Sequence, residues 1–340
     1  MREFNPGTVA EDRQLSRDAR NAGIKLAGIL FHRQAVPFEV LITEKNFPPE
    51  MISAAADYLR EAGCELVTTN VGIKMQRLSW RLIAPVVGEV LAQQGMELDI
   101  QIFAQTPSTN DECFAAAAQG ADRPMAIMAE AQTQGRGRRG NRWEAKPGQS
   151  ALVSLLLPGR ELPVETLSLA AGLAVAESVE ELTGGNPELK WPNDVLIDNH
   201  KLSGVLIETR PNVLNPMLTD YVIGVGMNVM QTNKDFPDSL AARATSLNMI
   251  GSRKWDVPEV IAVLLGKLYL WCNPLAPGEE IVPLWLSRCR MLERHIRVSC
   301  AGRIIEGTVA DIDPMEGLII RDHQGMNHAC LASQTTVLRD

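Results

Sequence analysis

"GRGRRG", Gly135–Gly140, matches G-x-G-x-x-G letter for letter, and how it is read decides the fold. As a dinucleotide fingerprint it needs a strand before it and a helix directly after it, so that a pyrophosphate can rest on the helix amino end. The strand is there, in "AIMAEAQTQ" at residues 126–134. The helix is not. "NRWEAKPGQS", residues 141–150, places Pro147 and Gly148 where a helix would have to run, and a strand-like run, "SALVSLLLP", follows. The one acid at roughly the expected distance, Glu161, falls in the turn "PGRELP" rather than at a strand end. The dehydrogenase reading is rejected.

What remains is charge. Arg136, Arg138, Arg139 and Arg142 set four guanidinium groups within seven residues, on a backbone loosened by three glycines. Guanidinium forks match phosphate and carboxylate oxygens and stay charged at any working pH. With no helix dipole behind the loop, side chains supply the positive field. The formal charge of the chain is −8, so the cluster is local and the protein as a whole is no polyanion binder. A solvated basic turn is the plain alternative.

Three further stretches carry chemistry. "KWPND", Lys190–Asp194, closes a strand, and "HKLSG", with Lys201 and Gly204, follows after the turn "LIDNH". A hairpin there brings both lysines to one site; a surface strand end is the alternative. "STND", Ser108–Asp111, opens a helix after a strand. It reads either as an ordinary N-cap or as amides that hold a small polar ligand group. "GVGMNVM" ends an apolar strand on Asn228, which is a strand terminator or a functional amide.

Outward from these motifs, 340 residues of which 45% are hydrophobic suffice for two or three domains with a buried core. Residues 1–17 read as a flexible polar lead-in. Residues 18–84 give helix ("RDARNAGIKLAGILFH"), short helix ("PFEVLITEKN"), helix ("PPEMISAAADYLREAG") and ribbon ("CELVTTNVGIKMQRLSWRL"), the order of a winged helix-turn-helix. Residues 85–292 mix strands and helices without a strict βαβ rhythm, which predicts a mixed sheet; Pro283 is expected to kink the last helix or delay its start. Residues 293–340 are short strands broken by Gly, Pro and Asp turns, as in a small β-barrel. The fold class is α+β.

Cys64, Cys113, Cys272, Cys289, Cys300 and Cys330 form no C-x-x-C pair and read as reduced thiols, and the five histidines show no metal-ligand spacing. The amino terminus lacks an apolar core, and "ALVSLLLP" is far short of a membrane span. A cytoplasmic protein with no membrane association is expected.

Taken in order, "STND", "QTQGRGRRG", "KWPNDV", "KLSGVLIE" and "GVGMN" closely resemble the biotin protein ligases, which attach biotin to carboxylase carrier proteins, over roughly residues 20–340. The resemblance implies a catalytic domain related to class II aminoacyl-tRNA synthetases, a carboxyl-terminal SH3-like barrel and, as in bifunctional members, an amino-terminal winged helix. It implies ATP, Mg²⁺ and biotin: the biotin carboxylate attacks the α-phosphate of ATP, and a carrier lysine then attacks biotinyl-5′-AMP. Carried over residue by residue, Ser108, Thr109, Asn110, Gln132, Arg136, Gly137, Arg138 and Lys201 would bind biotin. Arg139, Trp143, Lys190, Asn193, Asp194 and Asn228 would serve the nucleotide, with Mg²⁺ near Asp194. Arg138, Lys190 and Lys201 would be catalytic. The loop is expected to order only with ligand, because cations on glycines have little to pack against. The implied partner is a biotin carboxyl carrier protein, with a homodimer as in bacterial relatives.

DNA binding is disfavoured. The helix that would enter the major groove, "PPEMISAAADYLREA", carries Glu50, Asp57 and Glu61 against Arg60, a charge of −3 + 1 = −2. "VGIKMQRLSW" lacks the family's glycine-rich wing, although Lys74, Arg77 and Arg81 leave a wing contact open. The alternatives to a ligase alone are a ligase that also represses a biotin operon and a lipoyl or octanoyl transferase of the same superfamily. The last lacks the paired GRGRRG and KWPND motifs.

Overall fold

The computed structural model describes residues 6–30, 35–251 and 253–338, in two compact units, Met1–Glu97 and Leu98–Asp340. Residues 1–5 of the expected lead-in lie outside the described residues.

The first unit runs α1 (Pro6–Ile29), β1 (Val36–Pro37), α2 (Phe38–Thr43), α3 (Met51–Glu61), β2 (Glu65–Thr68), β3 (Gly72–Arg77) and α4 (Ile83–Gln93), with sheet order β1-β3-β2. The first helix begins well before Asp18, at Pro6. Ala55, Ala56 and Leu59 share one buried face of α3, which packs on α1, where Leu26 and Ala27 are fully buried. Helix α4 was not anticipated. Pro85 reads as a domain start, but it stands in the first turn, where a missing N–H removes no intrahelical bond. Ile83, Val86, Val87 and Leu91 of α4 are buried and the helix packs on α1, so the unit closes at Glu97 rather than at residue 84.

The second unit holds a seven-stranded sheet. Its elements in chain order are β4 (Asp99–Thr106), α5 (Thr109–Ala118), β5 (Met125–Gln132), β6 (Ser150–Arg160), α6 (Val164–Thr183), β7 (Glu188–Lys190), β8 (Asp194–Ile197), β9 (His200–Pro211) and β10 (Thr219–Asn228). Short helices α7 (Asp238–Ala241) and α8 (Leu247–Ile250) lead to α9 (Val257–Cys272) and α10 (Gly278–Leu286). The sheet order is β4-β5-β6-β10-β9-β8-β7; β4 and β5 run parallel and the other neighbours antiparallel. This is the expected mixed sheet.

Every residue of β6 from Ser150 to Leu157 is buried, so both faces of the sheet are covered there. Cys113, Phe114 and Ala117 of α5 pack on Ile127, Leu156 and Val222. Helix α6 packs against α9, α10 and the strands, with Leu167, Leu169 and Leu173 buried; each such side chain contributes about 1.5–3 kcal/mol. The helix stops at Gly184, in the left-handed region at φ 66°, whose N–H donates to Glu180 O at 2.8 Å.

One local expectation is corrected, and one of two outcomes expected at another proline is not seen. "KWPND" does not end one long strand: β7 stops at Lys190 and β8 starts at Asp194, with Trp191–Asn193 turning between them and Lys190 paired to Asp194. Trp191, only 2% exposed, anchors that turn in the core. Pro283 does not delay α10, which starts at Gly278 and contains it.

The chain closes with a five-stranded antiparallel sheet, β11 (His295–Cys300), β12 (Arg303–Asp313), β13 (Gly317–Arg321), β14 (Asn327–Cys330) and β15 (Thr335–Val337), ordered β14-β13-β12-β11-β15. Val298, Val309, Ile312, Leu318 and Ile320 are buried in it. Among the described residues no helix is long and apolar enough to cross a membrane.

Candidate active site

The second unit contains a cavity of about 600 Å³, a size suited to a small organic ligand. Ser108, Thr109, Asn110, Gln132, Arg136, Gly137, Arg138, Arg139, Trp143, Lys190, Asn193, Asp194 and Lys201 all line it. One candidate does not. Asn228 lies outside the cavity, buried, its amide donating to Thr245 O at 3.0 Å, because β10 reaches the cavity with its earlier residues Gly224, Val225 and Gly226.

One end of the cavity is neutral and tightly organised. Ser108 is the N-cap of α5, but its own hydroxyl caps nothing. Gln132, from the end of β5, does that work: its Oε1 accepts from the Thr109 N–H at 2.7 Å and from Thr109 Oγ1 at 3.0 Å. Ser154 Oγ lies 2.6 Å from both Thr109 Oγ1 and Asn110 Oδ1. The Asn110 amide rests on Gly224, where an added Cβ would stand 2.3 Å from Asn110 Oδ1. Only a bare backbone leaves that space.

The glycine-arginine loop is a small hairpin. Gly137 N–H donates to Asn141 O at 2.7 Å, Trp143 N–H donates to Gly135 O at 3.0 Å, and Arg136 and Arg142 bridge between them. Arg139 takes φ 58° in its tip. Contrary to expectation, three of its four cations have partners, Arg142 pairing with Glu144 at 3.5 Å and donating to Thr133 O at 3.3 Å. Arg136 is held bidentately by Asp111 at 2.9 and 2.7 Å and also donates to Glu208 at 3.2 and 2.9 Å. These contacts raise the Arg136 pKa further above its usual range, and Arg136 in turn holds the Asp111 carboxyl below its ordinary value. Arg138 donates to the carbonyl of Ala332, just before β15, while the Ala332 N–H donates to Glu165 at 3.0 Å. Burial, then the neighbouring Arg139 charge, lowers the Arg138 pKa; burial raises that of Glu165. Arg139 and Lys190 have no ion-pair partner among the described residues.

Lys190, at the end of β7, and Lys201, on β9, both reach the cavity through the antiparallel run β7-β8-β9, so two hairpins rather than one bring the expected lysine pair to it. Lys201 Nζ lies 2.6 Å from Asp194 Oδ1 and 5.7 Å from the Trp143 ring centroid. Asn193 secures the turn by donating to Val205 O at 2.8 Å. The Trp143 Nε1 is buried without a hydrogen-bond partner. Among the described residues no three His, Cys, Asp or Glu side chains gather to hold a metal ion.

Sequence reading left unassigned Asp111, Glu208, Gly224 and Gly226, although each lies within a quoted motif. It gave no signal for Ser154, Glu165 or the Thr335–Leu338 wall of the cavity. Six cations and one carboxylate, Asp194, line the cavity beside a neutral hydroxyl-amide pocket. That arrangement suits a ligand with a polar neutral head and an anionic tail.

Comparison with known proteins agrees. Residues 102–228 match the biotin/lipoate A/B protein ligase family. A biotin–[acetyl-CoA-carboxylase] ligase of Mycobacterium tuberculosis is 34% identical over 71% of this chain and 89% of its own length. A bifunctional ligase/repressor of Bacillus spizizenii is 30% identical over 79% of this chain and 80% of its own. The biotin protein ligase of Aquifex aeolicus, solved in complex with biotin and ATP, superposes with a TM-score of 0.58 at 26% identity, covering 71% of this chain and 99% of that one. On this combination of a mixed sheet, a cationic cavity and likeness along most of its length, the chain belongs to the biotin protein ligase family.

Proposed function

We propose that this chain is an ATP-dependent biotin protein ligase that makes biotinyl-5′-AMP and passes the biotinyl group to a lysine of a biotin carboxyl carrier protein. The observation that carries the reading is the cavity itself, with Arg138, Arg139, Lys190 and Lys201 arrayed beside Ser108, Thr109 and Asn110. Two anions must meet in the first step. The biotin carboxylate attacks the α-phosphorus, the bond to the bridging oxygen breaks, and pyrophosphate leaves. Screening and alignment are the whole task, and no nucleophilic side chain is needed. In the second step the carrier amine attacks the acyl carbon and AMP departs.

In this reading the hydroxyl-amide pocket takes the biotin rings, Arg138 and Lys201 face the reacting carboxylate and α-phosphate, and Arg139, Lys190 and Trp143 receive the nucleotide. Arg136, satisfied by two carboxylates, shapes the pocket rather than neutralising phosphate, and Asn193 and Asn228 act on the backbone around them. Mg²⁺, if bound with the triphosphate, would supply charge neutralisation. Asp194, the one carboxylate lining the cavity, would be the residue to help hold it, in competition with Lys201 at 2.6 Å.

The first unit is proposed as a winged-helix-like domain, residues 293–340 as an SH3-like one, and the protein as cytoplasmic. The test is incubation with ATP, biotin and a carrier domain, followed by intact mass of the carrier. A single biotinyl adduct is expected; an unmodified carrier, or pyrophosphate release with lipoate in place of biotin, overturns the reading.

A further inference from the structure

Glu208 is partly buried. It leaves β9 beside the cavity without lining it, and its carboxylate meets two site residues at once. Oε2 accepts from Asn110 Nδ2 at 2.6 Å and from Arg136 Nη2 at 2.9 Å, and Oε1 accepts from Arg136 Nε at 3.2 Å. Asp111 grips the other edge of the same guanidinium at 2.7 and 2.9 Å. Charges this close, linked by direct hydrogen bonds and about 30% exposed, hold a geometry more firmly than an open surface pair does.

The consequence for Asn110 is one of polarity. An asparagine amide can face a ligand in either of two orientations related by a flip, which present opposite donors and acceptors. An ionised carboxylate only accepts, so Glu208 requires the amide nitrogen on its side. Oδ1 then faces Ser154 Oγ at 2.6 Å and lies over the bare Cα of Gly224. Ser154 alone cannot make that choice, because a hydroxyl donates or accepts. Through Arg136 the same carboxylate ties the root of the glycine-arginine hairpin to α5 and β9.

We propose that Glu208 is a positioning residue, which sets the orientation of the Asn110 amide toward biotin and anchors the hairpin root through Arg136. This rests on the reading of the cavity as a biotin site. It goes beyond that reading in giving a role to a side chain that touches no substrate.

The decisive variant is Glu208→Gln, nearly equal in shape but able to donate as well as accept and carrying no charge. Two readouts are taken on the full chain. In biotin-dependent pyrophosphate release, KM for biotin should rise about tenfold, the worth of a charge-assisted hydrogen bond, while kcat changes by less than about threefold. In ligand-free protein, amide hydrogen exchange over Gly135–Gly137 should quicken about tenfold while α9 is unaffected. Glu208→Asp, which keeps the charge, should recover part of the biotin affinity. Should Glu208→Gln fail to fold, Asp111→Asn releases the same guanidinium and takes over the exchange measurement. An unchanged biotin KM in the folded variant, or unchanged exchange at the hairpin root, overturns the proposal. A wild-type chain that exchanges as expected but releases no pyrophosphate with biotin overturns the ligase reading instead.

Discussion

The indole of Trp143 rests on the bare backbone of Gly226: a Cβ built at Gly226 would stand 2.5 Å from the ring atom Cε2. Two residues earlier in β10, Gly224 leaves the same kind of space for Asn110. One strand therefore shapes both halves of the cavity with two missing side chains. Gly226→Ala should push the ring aside and raise KM for ATP, and Gly224→Ala should tilt the Asn110 amide and raise KM for biotin. Each effect should be on the order of tenfold, as overpacking of 1–3 kcal/mol implies. Initial rates measured against each substrate in turn decide it, and a reversed assignment would sink the division of the cavity.

Arg138→Ala should lower the rate of adenylate formation by about 10²–10³, the usual loss when one fixed donor to developing charge is removed. The thermal midpoint should move little, since the hairpin root is held through Arg136 instead. A variant that releases pyrophosphate at the normal rate excludes Arg138 from the chemistry.

Phe114→Ala should destabilise the second unit by about 3–5 kcal/mol, because Phe114 is 4% exposed in the cluster that joins α5 to the sheet. Urea unfolding measures this. A loss under 1 kcal/mol would show that α5 is not seated as described.

Acid should loosen the hairpin root late. Arg136 holds the Asp111 carboxyl below its ordinary value of 3.8. The group therefore adds stability that is fully present above pH 3.8 and is lost as pH falls through its lowered pKa. The difference in urea midpoint between wild type and Asp111→Asn should stay constant from about pH 5 to 7 and shrink only in stronger acid. A difference that already narrows at about pH 6 would point to another group.

The first unit should not shift DNA in a gel, with or without biotinyl-adenylate. Arg60 on α3 is occupied by Asp57 at 2.8 Å and by Thr68, and Arg77 on β3 by Glu65 at 2.9 Å. Those pairs withdraw the arginine of α3 and one arginine of β3 from contact with phosphates, whose counterion release drives duplex binding. A salt-sensitive shift with biotin-operon DNA would show that the first unit binds DNA.

What sequence could reveal depended on how far apart the cooperating residues lie. Pro147 and Gly148 were enough to reject a helix after the glycine-arginine loop, and the motifs named thirteen residues that line the cavity. The partners of the loop stayed hidden because they come from elsewhere in the chain: Asp111 and Glu208 from α5 and β9, and Ala332 from the edge of the last sheet. The arginines therefore read as unsupported when they are not. The reversal at Trp191–Asn193 escaped notice because apolar alternation continues on both sides of it. Helix α4 was missed because proline marks a helix start and a helix break with the same letter.

The peptide of Ala332 is gripped at both ends, its N–H by Glu165 and its carbonyl by Arg138, and Thr335–Leu338 form part of the cavity wall. An insertion between Ala332 and Thr335 would therefore bear directly on the reaction chamber, so tags and labels for assays are best kept out of that stretch.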